Sequence, residues 1–240
     1  MSTEKSFTYT PTPGAKESLH DIFRQLHAWR VQNYPPAQLQ VNIDQRQRLV
    51  AEADPAQWVQ VGDYVHPFSV QEVDGATLTL EGLLQKGPLV LVFFRFEGCP
   101  ACNLALPYYQ RNLLPGLRKL GATLLGLSPQ VPEKLVEIKR RHQLDFFVAT
   151  DRDNALGHRF GILYTADEAS RRAALARGTS TGQTTGTGTW QLPQPTVVVI
   201  DSESRVRFAD VHPDWLLRTE AEPILAAVAA VVAQKDAVAA

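Results

Sequence analysis

Cys99 and Cys102 are the only two cysteines in the 240 residues. They sit in the run Phe93-Phe94-Arg95-Phe96-Glu97-Gly98-Cys99-Pro100-Ala101-Cys102. Sulfur does nucleophilic chemistry as the thiolate, so the question is what would lower a thiol pKa here. Pro88 to Arg95 is almost continuously apolar and reads as a strand covered on both faces. A helix is expected to begin at Cys99, with Pro100 in the first helical position, where its missing N–H does no harm. The free N–H groups and partial positive charge of a helix start stabilise an anion. Beyond Cys99, apolar positions recur at Cys102, Leu106, Tyr109, Leu113, Leu117 and Leu120. This helical stripe makes Cys102 the first residue of a buried face. The expected division is an accessible nucleophile at Cys99 and a sheltered partner at Cys102, one helical turn away and close enough to bridge.

Arg95 closes the strand, four residues before Cys99. In open α/β sheets ligands collect beyond the carboxyl ends of strands. A guanidinium there would lower the thiol pKa and hold a peroxide or sulfenate oxygen. The competing reading is a surface ion pair with Glu97 or Glu81, and Glu97 would itself oppose thiolate formation. For the cysteines, the plain alternative is a small core residue at Cys102 and a surface thiol at Cys99. A zinc site needs two further ligands; no other cysteine exists and the histidines are scattered, with His20 and His27 sharing at most a helix face.

The rest of the chain must position these groups. Acids and bases nearly balance, with a formal net charge of -1, and no basic stripe points to nucleic acid. The longest strongly apolar run, Leu89 to Phe94, is far short of the roughly 20 residues of a membrane span. Met1 to Gly14 is polar, lacks the apolar centre of a signal peptide and reads as loosely attached. A cytoplasmic location is the default expectation, and in a reducing compartment a close cysteine pair is catalytic or metal-binding more often than structural. Leu19, Ile22, Phe23, Leu26 and Trp29 or Arg30 mark a helix over 15–31, ended by Pro35-Pro36, and a second helix is expected over 43–52. Residues 1–60 are read as a tail and helical extension too small to bury a core alone, and 61–240 as the main domain.

Within that domain, Phe68–Gln71 and Thr77–Leu80 around Asp74-Gly75 read as a hairpin. Strands are expected at 88–95, 122–127, 146–150, 196–200 and 206–208. Helices are expected at 99–120, with kinks at Pro107 and Pro115, and at 132–142, 153–160, 166–177 and 220–233. Gly178 to Thr189 is almost entirely Gly, Thr, Ser and Gln and reads as a flexible loop. This alternation predicts an α/β protein with a mixed central sheet flanked by helices.

A longer series carries a resemblance: Val61-Gly62-Asp63, Pro67-Phe68, Asp74-Gly75, Lys86-Gly87-Pro88, then Phe93-Phe94-Arg95 and Cys99-Pro100-Ala101-Cys102. Leu127-Ser128-Pro129-Gln130, Thr150-Asp151, Phe160-Gly161, Pro195-Thr196, Ile200-Asp201 and His212-Pro213-Asp214-Trp215 with Arg218 continue it. Over about 61–232 the chain resembles the peroxiredoxin-like branch of the alkyl hydroperoxide reductase/thiol-specific antioxidant (AhpC/TSA) family. The resemblance implies a thioredoxin-like fold, a peroxidatic Cys99, and Pro195-Thr196 in the place of the thioredoxin-type cis-proline beside the active site. It implies a peroxide substrate, a thioredoxin-type or low-molecular-weight thiol reductant, no cofactor and a homodimer. Asp214, Trp215 and Arg218 match its tail motif without a chemical role. Typical members carry a proline and a threonine where Val92 and Phe96 stand; Ala101 replaces an aromatic, and His66 a proline.

Three functions are thereby opened. The leading one is a thiol peroxidase using Cys99, Cys102 and Arg95. The second is a thiol–disulfide oxidoreductase, favoured by the missing Pro/Thr elements. The third is a non-catalytic redox-sensing module, motivated by Glu97 and the helical N-terminus.

Overall fold

The computed structural model describes residues 7–239, with side chains to residue 234. Two helices come first, α1 (Leu19–Asn33) and α2 (Pro36–Ala51). The hairpin follows as β1 (Ser69–Glu72) and β2 (Thr77–Thr79), then α3 (Leu80–Leu84), β3 (Leu89–Phe93), α4 (Cys102–Asn112) and α5 (Leu114–Lys119). Next are β4 (Thr123–Ser128), α6 (Pro132–Arg141), β5 (Phe147–Thr150), α7 (Ala155–Arg159) and β6 (Leu163–Thr165). The chain ends with α8 (Glu168–Ala176), α9 (Thr181–Thr185), β7 (Gln191–Pro193), β8 (Thr196–Ile200), β9 (Val206–Val211) and α10 (Ala221–Ala239).

The central sheet has seven strands in the order β2-β1-β5-β4-β3-β8-β9. β3 runs parallel to β4 and antiparallel to β8, and β4 is parallel to β5. β3 therefore lies inside the sheet, and every residue in it is buried. Because side chains alternate along a strand, β3 feeds two cores. Val90, Val92 and Phe94 join a core with both cysteines, α1, α4, α5, α6 and α10. Leu89, Leu91 and Phe93 join a second core with the hairpin, α3 and α7.

Several expectations are corrected by packing. The extension, expected to be too small to bury a core alone, packs into the main one: Leu19, Ile22, Phe23, Leu26 and Leu49 belong to the core that holds the cysteines. Pro36 starts α2 rather than merely ending α1, since a proline fits the first turn of a helix. The tail expectation falls partly outside the described residues (1–6); beyond them, Phe7 and Tyr9 pack against the core. The helix expected over 99–120 divides at Leu113, and Pro115 occupies the first turn of α5 while Pro107 is carried inside α4. Gly178–Thr189 is organised: it contains α9, and hydroxyls link Thr185 to Thr187 at 2.8 Å and Thr187 to Thr189 at 2.9 Å. Composition shows the missing apolar pattern but not these bonds. The short antiparallel pair β6–β7 had no sequence signal, three residues being too few for a period.

Candidate active site

The cysteine loop is held open-ended at the top of β3. Phe94 N–H donates to Leu127 O at 2.9 Å, the last ladder bond to β4. Ser128 Oγ then donates to Arg95 O at 2.9 Å, and Glu97 N–H to Gln130 Oε1 at 2.7 Å. Asn103 Nδ2 donates to Glu97 O (2.5 Å) and Cys99 O (3.0 Å), tying both sides of the turn to the first turn of α4. The backbone N–H of Asn103 also donates to Cys99 O at 3.1 Å, so the helical turn opens directly after Cys99 although regular helix starts at Cys102.

Both cysteines are free and buried; Cys99 is only 1% exposed. This corrects the expectation of an accessible Cys99. Side chains of α1 share the core in which both cysteines lie. The expected stripe holds as far as Leu117: Cys102, Leu106, Tyr109, Leu113 and Leu117 are fully buried, while Leu120 is only partly so.

The two thiols are nonetheless unequal. Burial opposes ionisation of Cys99, but a hydrogen bond from Cys102 and the charges of Arg95 and Arg218 outweigh it and bring its pKa down to about 5. Burial and the neighbouring Cys99 thiolate push Cys102 well above its ordinary value. The pair thus shares one negative charge, placed on Cys99.

Arg95 stands over the Trp215 ring, its Cζ 4.7 Å from the centroid, and over Phe96 at 5.2 Å. Burial alone would lower its pKa; Tyr164, Cys99 and Cys102 reverse that and hold it above the ordinary value. The surface-pair reading fails, because Glu97 is turned toward Arg141 (3.7 Å) and Arg95 Nε has no hydrogen-bond partner among the described residues.

Arg218 is the residue beside the cysteines to which sequence reasoning gave no role. Its Nη2 donates to Cys102 Sγ at 3.7 Å, while Nη1 donates to the carbonyls of Trp215 (2.5 Å) and Leu217 (2.6 Å). Asp214 receives Arg46 of α2 at 3.0 and 3.3 Å, and Trp215 Nε1 donates to Gln45 Oε1 at 3.0 Å. The tail motif is thus the clamp between the extension and the cysteines.

A sequence profile described as the AhpC/TSA family matches residues 61–209. The chain belongs to the AhpC/TSA family. Among curated members, peroxiredoxin Bcp of Escherichia coli K12 is 31% identical over 110 residues, which is 43% of this chain and 65% of that protein. The alignment therefore spans somewhat less than two thirds of that relative. Chloroplastic peroxiredoxin Q of Populus jackii is 25% identical over 104 residues, 43% of this chain and 48% of that protein. The crystal structure of peroxidoxin BcpB from Mycobacterium tuberculosis superposes with a TM-score of 0.56 at 20% identity, covering 72% of this chain and 98% of that one. Peroxiredoxin Q of Xanthomonas campestris gives 0.53 at 19% identity, over 69% and 91%. These AhpC/TSA likenesses establish the thioredoxin-like fold.

One family-based expectation is overturned. No peptide bond among the described residues is cis, so Pro195 follows Gln194 in trans. Gln194 N–H donates to Ile162 O at 2.8 Å, which continues the β6–β7 pairing up to the proline, and the chain enters β8 extended. The Thr196 hydroxyl donates to Gln194 O at 2.9 Å, and Thr196 pairs with Phe93 at the end of β3.

Proposed function

We propose that this AhpC/TSA protein is a thiol peroxidase. The observation that carries the reading is the unequal pair: a Cys99 thiolate held by Arg95 and Arg218 against a protonated Cys102. Cys99 thiolate attacks the terminal oxygen of ROOH; the O–O bond breaks, RO⁻ leaves and takes up a proton as ROH, and Cys99 becomes a sulfenic acid. Cys102 sulfur then displaces the sulfenic hydroxyl, which leaves as water with the Cys102 proton, and a Cys99–Cys102 disulfide forms. Two equivalents of thiol, from a thioredoxin-type protein or a small thiol, reduce it. Pro195 and Thr196 are assigned to the substrate side of the site, beside the strand end from which Arg95 emerges. The alkyl peroxide reduction named for the Xanthomonas relative supports the substrate class. No helix among the described residues is long and apolar enough to cross a membrane. We assign the protein to the reducing cytoplasm and take the family's homodimer as its working assembly, with residues 61–240 as the thioredoxin-like unit.

Burial of Cys99 favours a small oxidant over a protein disulfide, which has to bring a second backbone to the sulfur. The oxidoreductase reading rests on Phe96 standing where a peroxide-orienting threonine is usual. Stopped-flow oxidation of the reduced protein by hydrogen peroxide and an alkyl hydroperoxide separates the two. Cys99→Ser is expected to abolish the reaction, while Cys102→Ser still forms a trappable sulfenic acid but no intramolecular disulfide. Absence of peroxide consumption with any thiol donor, together with rapid reduction of insulin disulfides, would establish the second reading instead.

A further inference from the structure

The peroxidase chemistry uses Arg95 and Arg218 and leaves Arg30 without a task. Arg30 projects from α1, outside the part of the chain matched by the family profile. It is 5% exposed, and its Nε has no hydrogen-bond partner among the described residues. A cation held this far from water is costly unless an anion or a set of acceptors meets it. No carboxylate among the described residues pairs with it, and the Cys99 thiolate acts on it only at a distance. Arg46 is paired with Asp214, and Arg95 faces the Cys99 thiolate. Burial pulls the Arg30 pKa below its ordinary value; Tyr34 and the Cys99 thiolate oppose this only in part, and repulsion from Arg46 and Arg95 adds to it.

The position is specific. Arg30 Cζ lies 5.4 Å from the centroid of the Trp215 ring that Arg95 also covers, at 4.7 Å. On its other side it covers Tyr34 at 5.0 Å, and Tyr34, Trp29 and Phe7 form a chain of partly exposed aromatic rings, 5.9 and 6.1 Å apart. An unpaired guanidinium thus stands between the thiolate-binding arginine and an apolar rim. A neutral hydroperoxide has no charge for it. A carboxylate is planar and matches a guanidinium fork, and its organic body would lie on the rings.

We propose that Arg30, sharing the Trp215 ring with Arg95, is a carboxylate subsite, and that the preferred substrate is an organic hydroperoxide carrying a carboxylate group. The extension would then select the substrate while the cysteine loop reduces it. The substrate assignment rests on the peroxidase reading; the subsite does not.

Two arms test it. In the first, the reduced protein is titrated calorimetrically with hexanoate and with hexanamide. Hexanoate is expected to bind at least about tenfold more tightly, in the range of a charge-assisted hydrogen bond. Arg30→Gln should remove that preference, and Arg30→Lys, which keeps the charge but not the fork, should retain part of it. In the second arm, oxidation by para-carboxy cumene hydroperoxide is compared with that by its methyl ester. The acid should react faster with the wild type, and the acid-to-ester ratio should fall toward one in Arg30→Gln, whatever the absolute rates. Equal binding of hexanoate and hexanamide, or a preference untouched by Arg30→Gln, overturns the subsite. Arg30-dependent hexanoate binding without any hydroperoxide consumption would instead remove the peroxidase reading and leave the subsite standing.

Discussion

The two faces of β3, continued one residue further by Phe94, do opposite things. Leu89, Leu91 and Phe93 enter a core of Leu, Val, Ile and Phe side chains shared with Leu83, Leu127 and Ile200. Val90, Val92 and Phe94 enter a core that also holds both cysteines. Arg95, Arg218 and Arg30 converge beside that second core on Trp215 and Cys102. One face needs only apolar surface of the right volume. The other keeps charge out of water, and so needs partners brought from distant parts of the chain. Arg30, Arg95 and Trp215 meet only after α1, the end of β3 and the segment before α10 have packed. The stable face is a matter of pattern, and the reactive face a matter of convergence.

Breaking the apolar face should give the largest change in stability and none in thiol chemistry. Leu91 is fully buried there, and Leu91→Ala is expected to cost about 2–5 kcal/mol in urea unfolding. The pH profile of Cys99 alkylation should be unchanged. If that profile moves, the two faces are not independent and the comparison fails.

Sharpening it from the reactive side gives a smaller energy but a specific one. Arg218→Met removes the donor to Cys102 Sγ and one of the two cations that stabilise the Cys99 thiolate. The Cys99 pKa should rise by about one unit, equivalent to about 1.4 kcal/mol. A raised pKa means less thiolate at a given pH, so the midpoint of iodoacetamide alkylation against pH shifts upward. An unmoved midpoint would leave Arg218 with only its carbonyl bonds to Trp215 and Leu217 as a role.

The same contrast explains what the sequence made legible. Period-two and helical apolar patterns located most strands and helices, because those patterns are what a sheet core requires. The Cys102–Leu117 stripe was read correctly for that reason. Arg95 was visible because it ends a buried strand next to the cysteines. Arg30 left one readable signal: a charged residue in the register of Leu19, Phe23 and Leu26 on α1. Its partner ring lies 185 positions later in the chain, and no local pattern joins them. The burial of Cys99 was illegible for a related reason. A helix start is exposed unless other elements cover it, and here Cys99 lies in a core that residues of α1, read only as an extension, share with α4 and α10.

The central claim is that the reactive face holds a single negative charge on Cys99. Thiolate absorbance of the reduced wild type, followed against pH alongside Cys99→Ser, measures it directly. The expected result is a first thiolate step with a midpoint near 5 that is absent from Cys99→Ser. A first thiolate appearing only near the free-cysteine value of about 8.5 would contradict it.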